Sequence, residues 1–179
     1  MAERLVGKKA PDFTMDTVLG NGQEFGKASL ADYRGKWLIL FFYPMDFTFV
    51  CPTEITAISD AYERFAELDT EILGASTDSV YTHSAWINTS RDDNGLGVLN
   101  FPLAADLTHK VARDYGILVE DKGVAQRGLF IIDPEGELKY QVVTDDNVGR
   151  SVDETLRVLQ ALQAGGLCPA NWKPGMNTL

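Results

Sequence analysis

Residues 37–43 read Trp-Leu-Ile-Leu-Phe-Phe-Tyr, an unbroken apolar run closed by Pro44. A strand with one wet face alternates apolar and polar side chains, so a run without alternation is a strand covered on both faces. Three further runs share this character: Glu71–Ser76, Gly128–Asp133 and Leu138–Thr144. Pro134-Glu135-Gly136 lies between the last two, and its turn chemistry predicts a hairpin there.

Between these strands the apolar period changes to that of a helix. From Thr53 onward Ile55, Ile58, Tyr62, Phe65 and Leu68 recur at steps of three and four, which predicts one helix lying on the sheet. A second helix opens at Ser151, where Ser-Val-Asp-Glu154 is a capping-box pattern, and stops at Gly165-Gly166. Shorter helices are expected over about 79–90 and 108–115. Strand, helix and strand in succession imply parallel pairing, and the closing hairpin makes the sheet mixed. The expected architecture is α/β: a thioredoxin-like fold with a mixed central sheet flanked by helices. All 179 residues are read as one domain, of which 166–179 is an irregular tail. Gly20-Asn21-Gly22 is a tight turn.

Composition narrows the function. With 26 acidic and 16 basic side chains the formal charge is −10, which repels nucleic-acid phosphates and anionic lipid. No stretch has the length of a membrane span, and the N-terminal residues lack the apolar core of a signal peptide, so neither membrane nor nucleic acid is an expected partner. A cytoplasmic location follows, where thiols stay reduced and the two cysteines are metal ligands, catalytic groups or core residues. Two Cys and two His without ligand spacing make a metal site unexpected, and His83 and His109 read as ordinary surface or helix-packing residues.

The informative cysteine is Cys51, in Asp-Phe-Thr-Phe-Val-Cys-Pro-Thr-Glu-Ile. Pro52 suits the first position of a helix, since its missing N–H would have no partner there. Cys51 is then the N-cap, facing free backbone N–H groups and the positive end of the dipole, both of which favour a thiolate. Ionisation alone is insufficient for catalysis. A drop of about 2.5 pH units in a thiol's titration contributes ~2 kcal/mol, whereas enzymatic accelerations begin at about 8 kcal/mol. Groups that bind the reacting partner in its transition state must supply the rest. Thr48 offers a hydroxyl three residues before the sulfur, Pro44 can shield one side, and Arg127 brings a permanent cation at the start of a neighbouring strand.

The stretch Phe42–Glu54 resembles the peroxidatic site of the peroxiredoxins, whose pattern Pro-x-x-x-Thr-x-x-Cys is met by Pro44, Thr48 and Cys51. Arg127–Asp133 is similar to that family's arginine strand and Val148–Glu154 to the start of its last helix. Leu167-Cys168-Pro-Ala-Asn-Trp-Lys-Pro174 is similar to the resolving-cysteine tail of the typical two-cysteine subgroup. The resemblance covers nearly the whole chain. It implies reduction of hydrogen peroxide, organic hydroperoxides or peroxynitrite, with no metal or other cofactor in the protein. Cys51 becomes a sulfenic acid, Cys168 of a partner subunit resolves it to a disulfide, and thioredoxin or a dedicated flavoprotein reduces that bridge. Thr48 and Arg127 bind the two peroxide oxygens, Pro44 excludes water, and Glu54 and Arg150 orient the arginine. A homodimer is implied, assembling to a decamer.

Two departures bear on oxidation. Where sensitive members carry Gly-Gly-Leu-Gly this sequence has Asn94-Gly-Leu-Gly97, and no extra helix bearing Tyr-Phe follows the tail. Both predict resistance of Cys51 to sulfinic acid. The competing function is a redox-switched holdase chaperone or peroxide-sensing relay. A thioredoxin-like disulfide oxidoreductase is disfavoured by the missing Cys-x-x-Cys.

Overall fold

The computed structural model describes residues 3–179. The chain opens with β1 (Thr14–Val18) and β2 (Phe25–Ser29), then runs through β3 (Trp37–Phe42), α1 (Val50–Asp60), α2 (Tyr62–Ala66), β4 (Thr70–Ser76) and α3 (Val80–Ile87). It continues through β5 (Leu103–Ala105), α4 (Lys110–Asp114), β6 (Leu118–Val119), β7 (Val124–Ala125), β8 (Arg127–Ile132), β9 (Leu138–Thr144) and α5 (Val152–Ala164). Seven strands form one mixed sheet in the order β2-β1-β5-β4-β3-β8-β9, and β6 pairs with β7 beside it. Strands β3, β4 and β5 are parallel, β8 runs antiparallel to β3, and β9 antiparallel to β8.

Successive residues of β3 feed opposite cores, which is why the run shows no alternation. Ile39, Phe41 and Tyr43 pack with Ile55 and Ile58 of α1, Phe65 of α2, Trp86 of α3 and Leu156 and Leu159 of α5. Leu38, Leu40 and Phe42 pack on the other face with Phe130, Ile132, Val111 and Tyr115. The central strand therefore carries no exposed side chain after Trp37. No helix among the described residues is long and apolar enough to cross a membrane.

The helix expected from Thr53 to about residue 68 is two helices, broken at Ala61, whose ψ of 5° interrupts the first before α2 resumes. Its start also differs. The helix begins at Val50 behind Phe49, so Cys51 is the second helical residue, not the cap, and Pro52 is the third. Pro52 is tolerated there for the same reason as at the first position, because no first-turn N–H has an intrahelical acceptor. Helix α5 matches its expected limits: Ser151 Oγ accepts from Glu154 N–H at 3.2 Å, and Gly165 closes it with φ 72°. Strands β1, β2 and β5 were not anticipated. Around Gly20-Asn21-Gly22, Asn21 Oδ1 accepts from the N–H groups of Gln23 and Glu24 and turns the chain between β1 and β2.

The tail, read as irregular, carries no helix or strand and is folded back on α5. Trp172 is buried, Arg157 Nη1 donates to the Trp172 carbonyl at 3.0 Å, and Leu179 N–H donates to the Leu167 carbonyl at 2.9 Å. An aromatic ring covered by protein and a guanidinium held on its backbone compensate for the missing periodicity.

Candidate active site

Strand β3 ends at Phe42, and α1 begins at Val50 after seven intervening residues. That loop holds Pro44, half-buried in a bend, and Thr48, also half-buried. Cys51 is 1 % exposed and lies in the first turn of α1, its back to the core formed by Tyr43 and Ile55. Arg127 reaches it because of strand register. Leu129 of β8 faces Phe41 of β3 in an antiparallel pair, and continuing that pairing puts Arg127 level with Tyr43, at the end of the sheet where α1 starts.

Arg127 Nη1 donates to Cys51 Sγ at 3.2 Å and to Glu54 Oε2 at 2.8 Å, while its Nε donates to the Asp146 carbonyl at 2.9 Å. Glu54 follows Cys51 by three positions, hence on the same face of α1. Its other contacts come from Arg150: the backbone N–H at 2.7 Å and Nε at 2.8 Å to Oε1, and Nη2 at 3.0 Å to Oε2. Arg150 Nη1 also bridges the ends of β3 and β8, donating to the carbonyls of Phe42 at 2.8 Å and Gly128 at 2.7 Å. The Arg127, Glu54 and Arg150 side chains are 4, 2 and 4 % exposed.

Burial alone would push the Glu54 carboxyl up. The hydrogen bonds and charge of Arg150, with a further pull from Arg127, outweigh it and hold the group below the usual carboxylate range. For Arg127 burial works against the cation, and the contacts to Cys51 and Glu54 more than offset it. Two guanidinium groups and one carboxylate leave one uncompensated positive charge in a dry site. The Cys51 sulfur is set against it, 3.2 Å from Arg127 Nη1.

Thr48 hydroxyl donates to the Met45 carbonyl at 2.9 Å, and the Thr48 carbonyl accepts from Asn94 Nδ2 at 3.2 Å. Cys168 is placed elsewhere, half-buried against α5 with Sγ 3.6 Å from the Ala161 carbonyl, and both cysteines are free thiols. The structure thus gathers Cys51, Arg127, Glu54 and Arg150 at one point, sets Pro44 and Thr48 on the loop leading into it, and keeps Cys168 in the tail, packed against α5.

A second polar cluster lies behind the same loop and was not foreseen. His83 of α3, read as an ordinary surface or packing residue, is fully buried with Nδ1 2.6 Å from Asp46 Oδ2 and Nε2 3.0 Å from the Ala104 carbonyl. Tyr43 hydroxyl donates to Asp46 Oδ1 at 2.7 Å, and Asp46 N–H donates to Asp78 Oδ2 at 2.9 Å. Burial pushes the Asp46 carboxyl up against the opposing pull of His83. No spacing rule links positions 46 and 83; only the sheet brings them together.

Comparison with known proteins identifies relatives of this chain. Residues 6–141 match the model of the AhpC/TSA family. A Bacillus subtilis (strain 168) protein, YkuU, described as a peroxiredoxin, is 66% identical over 181 residues and matched across 100% of both chains. Peroxiredoxin prdx-2 of Caenorhabditis elegans is 53% identical over 183 residues, covering 100% of this chain and 90% of that one. Among solved structures, the reduced 2-Cys peroxiredoxin of Plasmodium vivax superposes with a TM-score of 0.95 at 40% identity, over 98% of this chain and 93% of that one. A thiol under a buried guanidinium, in a fold and a sequence shared with these proteins, makes this chain a member of the AhpC/TSA family and a thiol-dependent peroxidase of the peroxiredoxin class.

Proposed function

We propose that Cys51 is the peroxidatic residue, and the observation carrying this reading is the Arg127 Nη1 to Cys51 Sγ contact inside a buried site otherwise one negative charge short. The Cys51 thiolate attacks one peroxide oxygen. An S–O bond forms as the O–O bond breaks, the departing alkoxide or hydroxide takes up a proton, and Cys51 is left as the sulfenic acid. Charge moves from sulfur onto the leaving oxygen, so donors aimed at the oxygens bind the transition state more tightly than the free peroxide. Arg127 is one donor, and Glu54 and Arg150 fix its plane. Thr48 hydroxyl supplies the second once it exchanges the Met45 carbonyl for a peroxide oxygen. Pro44 covers the site against water.

The thiol of Cys168 from a partner subunit then attacks the sulfenic sulfur, an S–S bond forms and water leaves. Cys51 is buried in the first turn of α1, so that turn must open before the sulfurs meet. Thioredoxin or a dedicated flavoprotein reductase supplies the two electrons that restore the thiols. The working unit is a homodimer, further assembled to a decamer.

The test is peroxide consumption with a thioredoxin system and wild type, Cys51→Ser and Cys168→Ser. Turnover should vanish without Cys51. Without Cys168 one equivalent of peroxide should be consumed, leaving a sulfenic acid that dimedone traps. Sustained thioredoxin-dependent turnover by Cys51→Ser would overturn the assignment.

A further inference from the structure

Resting on the Cys51 assignment above, the cluster behind the loop has a role in the same reaction. The loop 43–49 carries the groups meant to meet the peroxide, yet it has no regular backbone hydrogen bonding of its own. Phe47 sits in the left-handed region at φ 58°, a conformation a non-glycine residue keeps only when its surroundings impose it. Asp46, next to it, is the residue the surroundings hold. Its backbone N–H is taken by Asp78, its two carboxylate oxygens by Tyr43 and His83, and 5 % of it is exposed. Asp78 is itself fixed by Ser76 Oγ at 2.7 Å, at the end of β4.

The proton inventory of this cluster follows from chemistry. The Ala104 carbonyl can only accept, so His83 Nε2 carries a hydrogen. The 2.6 Å approach of Nδ1 to Asp46 Oδ2 then contains one proton, whichever atom holds it, and the pair is neutral overall. Every polar atom is satisfied, so the cluster is a rigid post between β5, α3 and the loop.

We propose that Asp46 and His83 are positioning residues for peroxide reduction: they fix the 43–49 loop so that the Thr48 hydroxyl stands where a peroxide oxygen bound at Cys51 can receive it. Neither touches the substrate. Their effect falls on the step that uses Thr48 and leaves untouched any reaction of the sulfur that does not.

The discriminating measurement is a pair of second-order rates for Cys51, with hydrogen peroxide by stopped flow and with iodoacetamide, whose attack needs the thiolate but no oxygen-binding hydroxyl. In Asp46→Ala the peroxide rate should fall about tenfold or more while alkylation stays within about twofold of wild type. Asp46→Asn should recover most of the lost peroxide rate, because its carbonyl accepts from Tyr43 and its amide donates to an unprotonated Nδ1. An unchanged peroxide rate in folded Asp46→Ala, an equal fall in both rates, or Asp46→Asn as slow as Asp46→Ala would each overturn the proposal. Should Asp46→Ala not fold, His83→Gln is judged by the same two rates. Cys51→Ser separates the two levels of the argument. If it still turns over peroxide, the Cys51 reading fails; if it is inactive while Asp46→Ala is unimpaired, only the positioning role fails.

Discussion

Glu54→Gln probes the charge arrangement under Cys51 most directly. The carboxylate accepts four hydrogen bonds, one from Arg127 and three from Arg150, at 2.7–3.0 Å, and both guanidinium groups are about as buried as Glu54 itself. Glutamine keeps the volume and one carbonyl oxygen but turns an NH₂ group toward N–H donors and removes a carboxylate that contacts two buried cations. Removing one partner of a buried ion pair costs about 3–5 kcal/mol, and the retained carbonyl places this variant near the lower end, about 3 kcal/mol. At about 2–4 °C per kcal/mol for a chain of this size, the unfolding midpoint should drop by about 6–12 °C at pH 7. The difference has a predictable pH dependence. The Glu54 carboxyl is held below its ordinary value of 4.5, so its stabilisation is complete above that value and is lost as pH falls through the lower, folded value. The gap between wild type and Glu54→Gln, followed by circular dichroism on reduced protein, should therefore be widest near neutrality and close on acidification below about 4.5. A midpoint within about 2 °C of wild type at pH 7, or a gap indifferent to pH down to about 3, would refute the reasoning.

Arg127→Lys keeps a cation but cannot hold the Asp146 carbonyl, Glu54 and the sulfur at once, and stopped-flow oxidation of Cys51 should slow by about a hundredfold, the usual effect of losing one preorganised donor. Asn94→Gly relieves a left-handed asparagine at φ 61° and removes the 3.2 Å tether to the Thr48 carbonyl, about 1 kcal/mol of restraint on the loop. Amide exchange across residues 43–49 should accelerate in that variant; unchanged protection would contradict the tether. Arg157→Ala removes the clamp on the Trp172 carbonyl, so amide exchange across residues 167–179 should accelerate while the core of α5 keeps its protection.

Strands buried on both faces were readable because they carry no mixed signal: β3, β4 and β8 announced themselves as apolar runs, and α5 by its cap and terminal glycine, whereas β9, read as equally covered, is an edge strand with Gln141 and Val143 exposed. Thr14–Val18 and Phe25–Ser29 escaped because their strands are short, exposed on one face or more, and contain Asp, Lys and Gly. Ala61 gives no hint of a helix break, since alanine is the best helix former. Cys51 could be singled out by local chemistry, but its partners could not. Arg127 was placed near it by strand logic, Glu54 and Arg150 entered only through family resemblance, and Asp46 with His83 left no trace in spacing. Each of those pairings exists by virtue of sheet register and has no local signature.

Long separation along the chain also governs how the site comes into being. Cys51 meets its guanidinium across 76 residues and Glu54 is capped by Arg150 across 96, so nothing resembling the finished site exists until the last helix is about to be made. On a ribosome adding about 5–20 residues per second, a nascent Cys51 waits about 5–20 s before both cations have been synthesised. In refolding from denaturant the sulfur is likewise unguarded until its long-range contacts form, and a reductant present throughout keeps it from forming adventitious bridges before β8 docks.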